Sequence, residues 1–312
     1  MENSKMMNRK KQKSIFKTVE KSPDFSTNDP VIEHVDRAGL SILGVRPSLP
    51  QYCRQLWARR HFIWASGSSQ VLQKNRRLAL GNAWMIISPF IDAAMYGVIF
   101  GLILQTSRGI ENFLGYLVIG VIFMRFMTQG LSAGTGLISG SKNMIRSFTF
   151  PRAALAFSTI VRQLLENFAP ALVAIVFALA TQIGHPPTWR IVFILPLYLL
   201  LHLFALGMIL IVARTVAFIP DLAQLFSVFR RGWFYVSGVF FSVERFDTFP
   251  LLQQIMIANP AYQFLQAFRG CVIYATLPSL GSFLYLSAWS FGTFLFGFWY
   301  FWRAEEKYIN VQ

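Results

Sequence analysis

Six ionisable side chains lie where charge is expensive. Asp92, Arg125, Arg162, Glu166, Arg230 and Arg231 each fall inside an apolar run long enough to cross a lipid bilayer. A charge at the centre of such a helix costs roughly 2.5–3.5 kcal/mol on insertion scales, so each should face protein or a water-filled path. Arg162 and Glu166 are four residues apart on one predicted helix and can form a structural ion pair. Arg230 and Arg231 precede Trp233, Phe234 and Tyr235, then Phe240 and Phe241. Two cations beside aromatic rings can line a route for an anionic, sugar-bearing molecule, because guanidinium groups hold phosphate and aromatic faces stack on sugar rings. Arg125 joins this candidate path. The same residues equally suit aromatic packing, with the arginines paired to Asp92 or Glu166, and residue types alone leave both readings open.

Enzymatic chemistry finds no comparable footing. The stretch from Gly134 to Lys142 is rich in glycine but lacks the Gly-x4-Gly-Lys-[Ser/Thr] spacing that wraps phosphates. Its small residues suit close helix packing instead. His34, His61, His185 and His202 are scattered, and Cys53 and Cys271 complete no zinc set. The expectation is a chain with no catalytic site, metal or cofactor of its own and no means of using ATP by itself.

The elements that must position these residues are membrane helices. Of 312 residues, 54% are hydrophobic and only 14% charged, against about 25% charged in an ordinary soluble domain. Disorder over most of the chain is excluded by that apolar content, and the long continuous runs disfavour a porin-like barrel. Six stretches approach or exceed the ~20 residues needed to span hydrocarbon: Gly81–Leu104, Phe113–Ile138, Ala153–Ile183, Ile191–Ala213, Leu222–Val243 and Leu280–Trp302. Leu251–Ala258 and Tyr262–Tyr274, around Asn259 and Pro260, read as half-length, re-entrant or interfacial helices. The first long apolar run begins near Leu78, too late for a secretory signal peptide.

Charge sets the orientation. With the N-terminus inside, the inner segments hold 21 Lys and Arg and the outer loops four, so the positive-inside rule places both termini in the cytoplasm. The two cysteines then lie on opposite sides, which implies no disulfide. The net charge of +15 is largely an N-terminal property, with 15 of the 29 Lys and Arg in residues 1–77. It suits an anionic lipid surface and calls for no nucleic-acid partner. Residues 1–45 read as a disordered basic tail, 46–77 as an amphipathic interface helix and linker, and 78–312 as the six-span domain. In the interface helix Tyr52, Leu56 and Ile63 share one stripe and Cys53, Trp57 and Trp64 another, with Arg54, Arg59 and Arg60 interleaved.

The loop between the second and third runs carries Lys142, Asn143, Arg146 and Arg152 together with Met144, Ile145, Phe148 and Phe150. Water alone gives a basic loop no reason to hold such apolar side chains, whereas a short helix docking into a partner's groove does. Pro151 then starts the next helix where its missing N–H costs nothing.

Taken together these motifs resemble the permease subunit of type-2 ABC exporters for polysaccharides and polyol phosphates, the group that carries O-antigen, teichoic acid and the actinobacterial galactan precursor. The likeness rests on Leu80, Gly81, Trp84 and Pro89 behind Leu56-Trp57-Ala58-Arg59-Arg60, on Asn143 to Phe150-Pro151-Arg152, and on Ser237-Gly238-Val239-Phe240-Phe241 followed by Asn259, Pro260 and Arg269. Ala156 and Pro220 depart from the family's usual residues.

The resemblance implies an all-α, multi-pass protein of the bacterial cytoplasmic membrane that works as a homodimer with two copies of a separate ATP-binding subunit, which binds the ATP and Mg. It implies that about Ser141–Thr149, with Pro151 and Arg152, couples to that subunit. It also implies that Leu251–Tyr274, with Asn259, Pro260 and Arg269, forms re-entrant helices at the extracellular exit. The expected function is export of a lipid-linked polysaccharide. A type-2 exporter of small hydrophobic molecules, an ion-driven carrier and a non-transporting scaffold are the rivals.

Overall fold

The computed structural model describes residues 46–74, 83–96, 98–99, 103, 110, 112–182, 188–246 and 248–310. Among the described residues every regular element is helical. The expected basic tail, residues 1–45, lies outside them. Two helices come first, α1 (Leu49–Ala58) and α2 (Arg60–Lys74). Pro50 sits in the first turn of α1, and the Ser48 N–H donates to the Gln51 side chain at 3.3 Å. α3 (Ala83–Tyr96) covers part of the first expected span, whose remaining residues are largely outside the described set.

The long helices follow: α4 (Phe113–Gly140), the short α5 (Lys142–Ser147), α6 (Ala153–Ala180) and α7 (Ile194–Phe218), which continues a 3-10 turn at Trp189–Phe193. Among the described residues four elements are long and apolar enough to cross a membrane: Phe113–Gly140, Ala153–Ala180, Trp189–Phe218 and Leu280–Trp302, the last being α11. They correspond to the second, third, fourth and sixth runs read from the sequence. Caps fix their starts. Asn112 accepts the Gly115 N–H at 2.9 Å, while its amide donates to Ala178 O at 2.9 Å and its oxygen accepts from Thr181 at 3.1 Å, which joins the start of α4 to the end of α6. Ser279 accepts the Ser282 N–H at 3.1 Å to open α11.

The fifth run is shorter in the structure than its hydropathy suggests. α8 (Leu222–Val236) stops before Val243 because Gly238 takes φ +64, which turns the chain. At 1.5 Å per residue its 15 residues reach only about 22 Å. After a 3-10 turn at Val243–Phe246 come α9 (Pro250–Ile257) and α10 (Pro260–Val272), the two half-length helices expected on either side of Asn259.

α4 is the centre of the packing. Most of its length is buried, from Gly115 to Ile138, against α6, α7 and α8. α7 in turn packs on α11, and their backbones meet at Gly207 and Gly297. A Cβ on Gly207 would lie 2.5 Å from the Thr293 carbonyl carbon, and one on Gly297 would lie 2.6 Å from Gly207 O. Small residues at such crossings let membrane helices approach closely enough for dispersion contacts to hold them. Buried polar contacts add specificity, including Asn167 to His202 at 3.2 Å between α6 and α7.

Candidate functional site

The loop that joins α4 to α6 is built as an anchored hook. Ile145, at the heart of α5, is buried in the same apolar cluster as Tyr52 and Leu56 of α1 and Ala304 and Tyr308 near the C-terminus. Its burial corrects the expectation that all four apolar side chains of the loop face outward, because here one of them anchors α5 to the protein. Asn143 and Arg146 are exposed, Phe148 is 66% exposed, Met144 and Phe150 are half-buried, and Pro151 is buried beneath them. Between this loop and α2 runs a groove of about 450 Å³ lined by Arg59, Phe62, Met144, Ser147, Phe148, Thr149 and Phe150. The Phe62 and Phe150 rings face each other across it at 6.3 Å.

The two stripes read from the sequence lie on α1 and α2 and differ in exposure. Tyr52, Leu56 and Ile63 turn into the protein, while Cys53, Trp57 and Trp64 turn out. Arg59 and Arg60 are exposed, and the Arg60 guanidinium lies over the Trp57 ring at 5.5 Å.

The candidate path residues are not all alike. Beyond Leu114 at its start, every exposed position of α4 is small or polar: Arg125, Ser132, Gly136, Ser139 and Gly140. These recur at helical spacing and form one face. α8 borders that face, and Arg230 reaches from it to donate to Ser132 Oγ at 2.8 Å. A recess of about 190 Å³ there is lined by Leu131, Ser132, Thr135, Ala223, Phe226, Ser227 and Arg230. One guanidinium and three hydroxyls at a common recess can hold anionic oxygens. Arg231 is exposed beside it, and Tyr235 is exposed one turn further on.

Phe240 is a correction. It was expected along the path but is fully buried, packed against Phe234 at 5.4 Å and Tyr235 at 5.8 Å, so it is a core residue. Phe234 and Phe241 are half-buried at the edge of the same core. Trp233 donates its indole N–H to Asn259 at 2.9 Å and so belongs to the turn that precedes α10.

Around Asn259 and Arg269 the structure is tightly bonded. Asn259 accepts the Ala261 N–H at 3.0 Å to cap α10, next to Pro260, and donates to Ser237 Oγ at 2.9 Å. Arg269 is fully buried. Its guanidinium donates to Tyr116 O at 3.2 Å, Gly238 O at 2.9 Å and Val239 O at 3.1 Å, and stacks over the Tyr116 ring at 3.3 Å. The Tyr116 hydroxyl donates to Gly238 O and Phe241 O. Arg269 therefore staples α10 and the end of α8 to α4. Its planar fork reaches two carbonyls at the chain reversal, Gly238 O and Val239 O, and a third in the first turns of α4, Tyr116 O.

The ion pair expected within α6 takes another form. Arg162 donates to Gln70 Oε1 at 3.1 Å, bridging α6 to α2, and Glu166 is buried. Among the described residues the ion pair seen is Arg152 with Glu305, at 3.2 Å. Glu305 opens a 3-10 turn (Glu305–Asn310) after α11 and is 2% exposed. Its carboxylate accepts from the Arg152 N–H at 2.8 Å, the Arg152 guanidinium and the Tyr52 hydroxyl at 2.8 Å, and that hydroxyl in turn accepts the Ala153 N–H at 3.0 Å. Burial pushes the Glu305 carboxyl pKa up, and the Arg152 and Tyr52 hydrogen bonds pull it part of the way back. Sequence reasoning missed this cluster. The available signal was a doublet of acids, Glu305 and Glu306, directly after a span in an otherwise basic flank. The side chain of Asp92 lies outside the described residues.

With the hook, the polar face and the helical frame in place, comparison with known families supplies the class. A profile of the ABC-2 type transporter family matches residues 61–273, more than half of the chain, and the chain belongs to that family. It is a membrane-embedded permease component of an ABC exporter, a class in which ATPase activity lies in a separate subunit. No curated protein matches the chain.

Proposed function

We propose that this chain is the permease subunit of an exporter that moves a lipid-linked polysaccharide, of the O-antigen, teichoic acid or galactan type, across a bacterial cytoplasmic membrane. The observation that carries the reading is the polar face of α4, where Arg125, Ser132, Gly136 and Ser139 are exposed beside Arg230. A membrane helix does not turn arginines to hydrocarbon, so this face needs a water-filled path or a second subunit. Two copies set face to face would form a conduit lined by guanidinium groups, hydroxyls and the exposed Tyr235. That chemistry suits a phosphate-linked sugar polymer better than a small hydrophobe, which needs an apolar pocket.

In this proposal two copies of an ATP-binding subunit dock on the two hooks, holding ATP and Mg between them. ATP binding shifts α5, the copies rearrange, and their seam opens. The first apolar run, Gly81–Leu104, and the fifth, in which α8 is completed by the turn from Gly238 to Val243, supply the two further crossings that put both termini in the cytoplasm. α9 and α10 are the re-entrant pair at the outer exit.

The test is reconstitution of the permease with its ATPase subunit in vesicles. Phe150→Glu and Arg146→Glu should lower ATP-driven export while leaving the assembled complex intact, and undiminished export from that complex refutes the coupling assignment. Arg230→Ala should weaken binding of lipid-linked polysaccharide and spare binding of small hydrophobes; the opposite pattern supports a small-molecule exporter. Transport without the ATPase subunit would instead identify an ion-driven carrier.

A further inference from the structure

The buried cluster at Glu305 has no role in forming a path, yet it gathers three parts of the chain that are far apart in sequence. Tyr52 comes from α1, Arg152 and Ala153 from the end of the hook, and Glu305 from the turn after the last membrane helix. α5 also packs directly on that turn. Both Tyr52 and Glu305 lie outside the span matched by the family profile.

We propose that Glu305 is a positioning residue for energy transfer: it clasps the hook to the interface helix and to the end of α11, so that a displacement of α5 moves all three as one body. The proposal rests on the reading that α5 meets the ATPase subunit. The geometry supports it at three points. The hook's return to the membrane passes through Arg152 and Ala153, whose backbone N–H groups both end on this cluster. Such groups at a helix start have no helical acceptor, so the clasp supplies the acceptors that hold the loop in place.

A second strand of contacts runs beside the first. Trp302 donates to Pro47 O at 3.1 Å, Glu306 accepts the Arg46 N–H at 2.6 Å, and Arg46 lies over the Trp302 ring at 4.5 Å. The chain entering α1 is thus bound to the end of α11 independently of Tyr52. The third point is the cost of the arrangement. A buried carboxylate is retained only where its partners satisfy it, and removing one partner is far worse than never having had the pair. A surface loop that merely needed anchoring could use apolar contacts such as Ile145 alone. A charged, directional clasp fixes the angle of the hook as well as its depth.

Transmission through such a clasp separates two quantities that a merely structural residue would change together. Without it α5 can still bind the ATPase subunit, but its movement dissipates in the loop. The substituted permease should therefore hydrolyse ATP with less export per ATP consumed.

The experiment has two arms. In the first, hydrogen exchange is measured on the full-length permease alone. Glu305→Ala should speed exchange across residues 142–153 by about tenfold, the equivalent of one lost charge-assisted hydrogen bond, with Lys307→Ala as an unaffected control. Unchanged exchange overturns the clasp. In the second arm, the complex with the ATPase subunit is reconstituted and ATP turnover and export are measured together. Glu305→Ala should keep assembly and hydrolysis but lower export per ATP by about tenfold, and Glu305→Gln, which keeps a side-chain acceptor, should recover most of it.

If Glu305→Ala does not fold, Tyr52→Phe takes its place, since it removes only the hydroxyl that bridges Ala153 to Glu305. A wild-type ratio of export to ATP in either variant overturns the proposal. Failure of wild-type permease to recruit any ATPase subunit refutes the functional reading itself, and with it transmission, while the exchange arm still reports on the clasp.

Discussion

Replacing Arg269 with methionine removes a side chain that bonds α10, the turn after α8 and the first half of α4 through one group. Three hydrogen bonds are lost, to Tyr116 O, Gly238 O and Val239 O, together with stacking on Tyr116. Hydrogen bonds inside membrane proteins average about 0.6 kcal/mol and reach about 1.7 in double-mutant cycles, so three amount to roughly 2–5 kcal/mol. Methionine also relieves the cost of burying a cation, which offsets part of the loss. It leaves Val239 O without its donor, however, in a place closed to water, while Gly238 O keeps the Tyr116 hydroxyl. The net expectation is a destabilisation of about 2–4 kcal/mol, a large share of the marginal stability typical of folded proteins. Lysine tests the reasoning most sharply. It retains the charge but not the planar fork, so it should rescue little. The assay is thermal unfolding of the purified, detergent-solubilised full chain, followed by intrinsic fluorescence. A melting temperature for Arg269→Met or Arg269→Lys within a degree or two of wild type would refute the stapling argument.

Other substitutions probe the packing and the clasp. Gly207→Ala places a methyl 2.5 Å from the Thr293 carbonyl carbon and should cost about 1–3 kcal/mol as overpacking, read as a lowered melting temperature. Gly238→Ala meets both the positive φ and the Tyr262 ring, 2.8 Å away, and should cost about 1–2 kcal/mol from the backbone alone. The Glu305 carboxyl holds its proton to higher pH than an ordinary carboxylate at 4.5, so its stabilising contribution is complete below that value and is lost as pH rises through the folded pKa. Glu305→Gln should therefore gain stability relative to wild type as pH rises above 4.5, and a difference that is flat with pH contradicts the assigned shift.

Much of the frame was legible in the sequence because hydrophobic length is a local property. The runs at Phe113, Ala153, Ile191 and Leu280 became helices close to their predicted bounds, and Asn259-Pro260 separated two half-length helices as a capping residue followed by proline should. The two stripes on α1 and α2 followed from spacing alone, but of the four apolar side chains expected outward on the basic loop only Phe148 is exposed, while Ile145 is buried. These readings need only the identity of each residue and its neighbours within a few turns.

What the sequence could not decide depends on partners distant along the chain. Phe240 and Tyr235 are similar aromatics in one segment, yet Gly238 turns the first into the core and leaves the second at the surface. Arg230 and Arg269 are both arginines in apolar surroundings, but one lines an open recess and the other is consumed by three carbonyls. Arg162 had an acid four residues away and bonded across to Gln70. Glu305 offered no periodic signal, because its partners stand 153 and 253 residues away. Composition and periodicity determined that this chain is helical and suited to a bilayer. Only the folded arrangement decided which charges bind the protein together and which are turned outward, because that depends on the acceptors that tertiary packing brings within about 3 Å.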